Sequence, residues 1–162
     1  MIRIHPHSIR TVLRIVTGDS AEVMEAAKEI IRSSNPLSAD WLTEIAGNAS
    51  CRRWSRIAAI YALGFLGYKP SSSVLIRILK NVREHRELRC HAAEALGNMR
   101  ERRALSVLRK ILMSNERPDL KKWSIYAASE IGGPRARAVL SQFAATRPTG
   151  TLKKEIKAAL AR

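Results

Sequence analysis

Disulfide-forming residues are nearly missing from this chain: Cys51 and Cys90 are the only cysteines in 162 residues. Each fits a helical segment, which excludes a small disulfide framework and makes both free thiols. Aromatic residues are scarce too, at three Trp, three Tyr and two Phe. Ala, Leu and Ile carry the apolar fraction instead, a mixture that favours helices because unbranched side chains and Ala lose little freedom there. No run approaches the ~20 apolar residues of a membrane span. The opening "MIRIHPHSIRTVLRIV" has charges and a proline where a signal peptide would be apolar, so a cytoplasmic protein without a membrane partner is expected.

Chemistry-bearing patterns are also lacking. His5 and His7 flank a proline, His85 lies in a turn and His91 on a helix, and none has a second ligand at the spacing of a zinc site. No Gly-rich phosphate loop follows a strand, and no Ser/His/Asp arrangement emerges. The expectation is a chain that is not an enzyme and needs neither metal nor cofactor.

Acidic residues run short only in one part of the chain. Residues 1–50 hold five Lys/Arg against six Asp/Glu, whereas residues 51–162 hold 24 against eight. The whole excess behind the net charge of +15 therefore sits in the last two thirds. Arg outnumbers Lys by 20 to nine, which compositional bias could produce, but such bias does not account for basic over acidic.

What the chain does have is a repeat. A length of 162 residues with 46% hydrophobic content suits one domain. Shifted by 33 residues, Ala59, Ala62, Leu63 and Gly64 fall on Ala92, Ala95, Leu96 and Gly97, and Val74, Leu75, Ile78 and Leu79 on Val107, Leu108, Ile111 and Leu112. Backwards, Ala26 and Ile30 take the first set of places, and Ile9, Val12 and Leu13 fall under Leu42, Ile45 and Ala46. Forwards, a shift of 35 puts Ala127, Ile131 and Gly132 on Ala92, Leu96 and Gly97, and a shift of 32 puts Leu140, Phe143 and Ala144 on Leu108, Ile111 and Leu112. A shift of 64 brings Leu152 and Leu160 onto Leu88 and Leu96.

Apolar positions inside each unit keep helical spacing, as in Leu75, Ile78, Leu79 and Val82. "GYKPSSS", "GNMRERR" and "GGPRARA" separate two helices within a unit, while "SSNPLS", "SNERPD" and "ATRPTG" separate units. Gly97 is the expected stop of its helix. Each unit is thus a helical hairpin that buries its apolar face only by stacking on neighbours, with Ala at 59, 62, 92, 95, 127 and 128 allowing close approach. Leu96 belongs to that buried layer.

At "AAEALGNM" followed by "LSVLRKIL" the chain resembles HEAT repeats, specifically the short type found in phycobilisome lyase subunits. The period is shorter than the ~40 to 47 residues of long HEAT and armadillo units. Tyr68, Arg100 and Pro134 replace the Asn or Asp that often follows the second Gly of the short type. The ankyrin T-P-L-H turn and the tetratricopeptide pattern are absent. The resemblance implies an all-α, right-handed α-α superhelix of about four hairpins with a half unit at each end. As one domain over 1–162, its units are 1–18 (half), 19–50, 51–83, 84–117, 118–148 and 149–162 (half).

The resemblance also implies that second helices line the concave face, where Arg77, Arg109 and Lys110 would point outward. A second basic set lies in the turns within hairpins: Lys69; Arg100, Arg102 and Arg103; Arg135 and Arg137. A third recurs where first helices begin: Arg52, Arg53 and Arg56; Arg83, Arg86 and Arg89; Lys121 and Lys122; Lys153 and Lys154. These three sets, apart from Arg83, Lys153 and Lys154, are the candidate binding residues.

The expected function is a scaffold for a protein partner with an acidic surface. The alternative is binding of nucleic-acid phosphates by the same surface. An accessory role in an enzyme of the lyase or glycosylase type comes third, and no catalytic residue carries over from either. Trp54 and Trp123 are expected to be the edges of equivalent turns rather than stacking platforms. Ile156, Ala159 and Leu160 either pack back on Leu140 and Phe143 or make a weak homodimer.

Overall fold

The computed structural model describes residues 6–34 and 36–162, with side chains described from residue 10 onward except those at 35–37. His5, and the side chains of His7 and Ile9, lie outside the described residues. Ten α-helices and no strand are found among them: α1 Pro6–Thr17, α2 Ser20–Ser33, α3 Pro36–Gly47, α4 Arg53–Leu66, α5 Ser72–Lys80, α6 Arg86–Asn98, α7 Leu105–Met113, α8 Pro118–Ile131, α9 Gly133–Ala145 and α10 Gly150–Ala161. They form an α-solenoid of four hairpins, α2/α3 to α8/α9, between the single helices α1 and α10. The link "SSNPLS" joins α2 to α3 inside a hairpin; it does not separate units.

Local signals fix the helix ends. Asp19 caps α2 by accepting from the backbone N–H groups of Ala21 and Glu22, while Glu22 reaches back to the N–H of Asp19 at 3.1 Å. Gly67 ends α4 in the left-handed conformation, φ 63°, and Tyr68 donates back to the Leu63 carbonyl. One period later Arg100 occupies the same left-handed position, φ 51°, with Glu101 donating to the Leu96 carbonyl.

That corrects the role of Gly97. It does not stop α6, which runs on to Asn98; it lies within the helix against α8. A Cβ on Gly97 would stand 2.7 Å from the Ala127 Cα, and one on Gly64 2.7 Å from the Ala95 Cα. The "ALG" phrase therefore encodes backbone-close packing between successive first helices, where any side chain would collide with the next helix.

The same contacts correct the register of α8. Gly64 meets Ala95 and Gly97 meets Ala127, so α8 follows α6 at a separation of 32, not 35, and Ala128 stands for Leu96. Leu88 and Leu120, Ala92 and Ser124, and Met99 and Ile131 then match in burial as well. Trp54 and Trp123 consequently occupy different positions in their helices: Trp54 is the second residue of α4, Trp123 the sixth of α8. At the other end Leu13 is exposed rather than buried like Ala46, and Val12 and Ile15 supply the inner side of α1.

First helices pack on first helices, and each second helix packs on the first helix of the following hairpin. The core is one continuous layer from Val12 to Ile156, with Leu42, Leu63, Leu75, Leu96, Leu108 and Leu112 fully enclosed. Ile156 packs back into it against α8 and α9, as the first of the two expectations for α10 has it, while Ala159 and Leu160 remain half-buried.

Candidate partner-binding surface

Two arginines expected on the surface prove to be internal. Arg56 and Arg89 are each only 6% exposed. The Nε of Arg56 donates to the Ala46 carbonyl at 3.0 Å, and its two terminal nitrogens clasp Glu84 at 3.2 and 2.6 Å. Arg89 repeats the arrangement, donating to the Leu79 carbonyl at 3.1 Å and to Glu116 at 2.6 Å. Ala46 and Leu79 lie in the last turns of α3 and α5, where carbonyls lack helical partners and the helix dipole favours a cation. Each arginine thus ties the end of the preceding hairpin to the turn that opens the following one. Burial raises the Glu84 pKa, but the Arg56 hydrogen bonds and charge outweigh it, leaving the carboxyl below its ordinary value. These two residues are withdrawn from the candidate surface because their donors are already satisfied inside.

A second ladder runs outside the first. Arg53 on α4 pairs with Glu87 on α6 at 3.4 Å, Arg86 on α6 with Asp119 on α8 at 3.0 Å, and Lys122 on α8 with Glu155 on α10 at 3.5 Å. Glu130 is held by Arg162, and Glu94 lies beside His91.

Arg103 folds back on its own turn. Its guanidinium and backbone N–H bind Glu101 at 3.0 to 3.1 Å. These hydrogen bonds, led by the side chain, overcome burial and hold the Glu101 carboxyl at about 2. A carboxylate depressed in the folded state contributes stability that is complete above its unfolded pKa and is lost as pH falls towards 2. Glu101→Gln is expected to cost about 1 to 2 kcal/mol at pH 7, discounted for the exposed Arg103, and to flatten the decline of stability below pH 5. Urea melts across that range check it; parallel wild-type and variant curves would contradict it.

Every one of the eight acidic residues in 51–162 is therefore beside a cationic or histidine side chain. The reverse does not hold. Arg53, Arg56, Arg86, Arg89, Arg103, Lys122 and Arg162 are the paired cations, so 17 of the 24 basic residues there have no carboxylate within 4 Å among the described residues.

Fourteen of these unmatched cations fall in three places, and Lys153, Lys154 and Lys157 are exposed on α10. Arg77, Arg109 and Lys110 are exposed on α5 and α7, with Arg109 donating to Gln142 of α9 at 2.7 Å. Lys80, one turn beyond Arg77, joins them; its recurrence at i+3 on the same helix was the available signal. In the hairpin turns Arg100, Arg102 and Arg135 are exposed, Lys69 donates to the Met99 carbonyl, and Arg137 to the Leu160 carbonyl at 3.0 Å. Where first helices begin, Arg52 reaches the Thr17 carbonyl and Lys121 lies over the Phe143 ring at 5.7 Å, with Arg83, Arg117 and Arg147 in the adjoining turns.

Trp54 and Phe65 are the exposed aromatics among the described residues. Trp54 and Phe65 are both on α4, Phe65 beside Tyr61 with ring centroids 4.6 Å apart, and Trp54 beneath the paired Arg53. Trp123 is half-buried, edge-on to Tyr126 at 5.7 Å. Burial raises the Cys90 thiol to about 11, which suits a packed thiol rather than a nucleophile. No group of three His, Cys, Asp or Glu that could hold a metal ion occurs among the described residues, and no helix among them is long and apolar enough to cross a membrane.

The model for HEAT repeats matches residues 72–161. The complex of CpcE and CpcF of phycocyanin lyase from Nostoc sp. PCC7120 contains a chain similar to this one at a TM-score of 0.78 and 14% identity, over 94% of this chain and 96% of that one. Computationally designed armadillo repeat proteins for modular peptide recognition are similar at a TM-score of 0.57 and 18% identity, over 93% and 79%. At these identities the likeness is one of fold. No curated protein matches the chain.

Proposed function

Because the chain belongs to the HEAT repeat family, whose stacked hairpins present extended surfaces, we propose that it is a non-catalytic scaffold that binds an acidic protein through its basic second-helix face and hairpin-turn edge. The observation that carries this reading is the surplus of 17 cations without a carboxylate partner in 51–162, beside acidic residues that are all engaged. Like charges held on one surface repel one another, and an acidic surface relieves that repulsion and is steered in by the same field. The concave face takes Arg77, Lys80, Arg109 and Lys110; the edge takes Lys69, Arg100, Arg102, Arg135 and Arg137. One similar solved structure is of a complex between two proteins and the other was designed to recognise peptides, which supports a protein as the partner.

A nucleic acid is the second reading, favoured by the row of unmatched arginines along the hairpin-turn edge. The small number of exposed aromatics, Trp54 and Phe65 among the described residues, weighs against base stacking, though not against a duplex backbone. Affinity capture after nuclease treatment tests both. Acidic proteins are expected to be retained by the wild type and lost with Arg100→Glu/Arg102→Glu/Arg135→Glu. Retention that disappears with nuclease supports the second reading. A labelled duplex would then bind with log affinity falling against log salt at a slope of about −4 to −5 if about five phosphates are neutralised.

A further inference from the structure

We infer that the groove between the end of α9 and α10 is a docking site for an acidic amphipathic helix of the protein partner; this rests on the scaffold reading and gives it a second, separate site. The groove has a volume of ≈ 700 Å³. Ala144, Ile156 and Leu160 provide its apolar side, and Arg147, Lys153 and Lys157 its charge. None of these three cations has a carboxylate within 4 Å among the described residues.

The repeat identifies what fits there. α10 follows α8 at a separation of 32, so Lys153, Lys157 and Leu160 stand where α8 has Lys121, Ile125 and Ala128. In α8 those last two are buried, with α9 packed on the helix and Phe143 seated over Lys121. In α10 Lys157 is exposed and Leu160 half-buried. The groove thus corresponds to the place beside α8 that α9 occupies one hairpin earlier, which suits a helix bearing apolar residues at i, i+3 and i+4.

Its charge selects the helix. Lys157 replaces Ile125, and Arg147 stands where the turn before α8 has Asn115, so the groove is more cationic than the corresponding place beside α8. The second helices α5, α7 and α9 of another copy carry Arg77, Lys80, Arg109, Lys110, Arg135 and Arg137, which repel this groove. Glutamates flanking the apolar stripe complement it.

The probe is a fluorescein-labelled synthetic helical peptide with leucines at i, i+3, i+4 and i+7 and glutamates on both flanks. Saturable binding is expected, weakened more than about tenfold by Lys153→Glu/Lys157→Glu and changed less than about twofold by Arg32→Glu, an exposed charge reversal on α2. The substituted positions are exposed, and unchanged circular-dichroism melts verify the fold; Leu160→Asp gives an independent variant with the same expected loss. Equal binding of a peptide with serines for leucines, or no binding at low salt, overturns the groove. Loss on Arg77→Glu/Lys110→Glu while Lys153→Glu/Lys157→Glu binds as the wild type also overturns it and leaves the scaffold reading intact. A sedimenting dimer abolished by the Lys153/Lys157 reversal would place a second copy there and overturn it too.

Discussion

Replacing Arg89 with Met is expected to lower stability by about 3 kcal/mol, at the low end of the ~3 to 5 kcal/mol range for removing one partner of a buried ion pair. Met keeps most of the aliphatic volume, so the loss reports the guanidinium. The Leu79 carbonyl loses its donor and the Glu116 carboxylate its cation inside a packed junction. Glu116 retains some access to water, which is why the low end applies. The pair itself need not stabilise the fold relative to an apolar one, since desolvating two charges offsets their attraction. Glu116→Gln in the Arg89→Met background is therefore expected to recover part of the loss. Urea denaturation of the four proteins in this cycle measures it, and a cost below about 1 kcal/mol for Arg89→Met would show the junction to be solvated.

Leu96→Ala is expected to cost about 2 to 5 kcal/mol. Leu96 is 0% exposed, and Ala is the best helix former, so helix propensity contributes nothing to the loss. The cavity has little means of collapsing, because Gly97 already holds α6 against the Ala127 backbone. Leu160, which occupies the corresponding place in α10, provides the control. Half-buried beside a groove, it should lose under about 1 kcal/mol on truncation to Ala, because little apolar area returns to water. An unchanged urea midpoint for Leu96→Ala would remove Leu96 from the interior.

The hairpins were legible because their apolar positions recur: Leu75 and Leu108, or Ala62 and Ala95, announce the period by identity alone. Functions of single residues within that period were less legible. A glycine near a helix end reads as a stop, yet Gly97 is a packing position and the left-handed turn falls to Arg100, a residue type that gives no such signal. The register of α8 was misread because Ile131 and Gly132 imitate the Leu96–Gly97 pair, three residues beyond the Ala128 that holds the place of Leu96. Burial of Arg56 and Arg89 was hidden because their partners lie in neighbouring hairpins. The spacings from Arg56 to Glu84 and from Arg89 to Glu116, 28 and 27 residues, were visible in the sequence but meant nothing until two helix ends met. Of the candidate surface, the charge excess was readable; which cations are spent on the fold was not.

The arginine junctions also bear on how such a chain could change its length. Arg56 joins Ala46 to Glu84, and Arg89 joins Leu79 to Glu116, so both junctions reach back by 10 residues and forward by 28 and 27. A duplication or deletion that removes one whole period leaves every surviving guanidinium facing a carbonyl and a carboxylate of the kind it had before. A break inside the period strands a charge in the interior. Changes by whole hairpins are therefore compatible with both junctions, whereas a break that parts either arginine from its carboxylate is disfavoured.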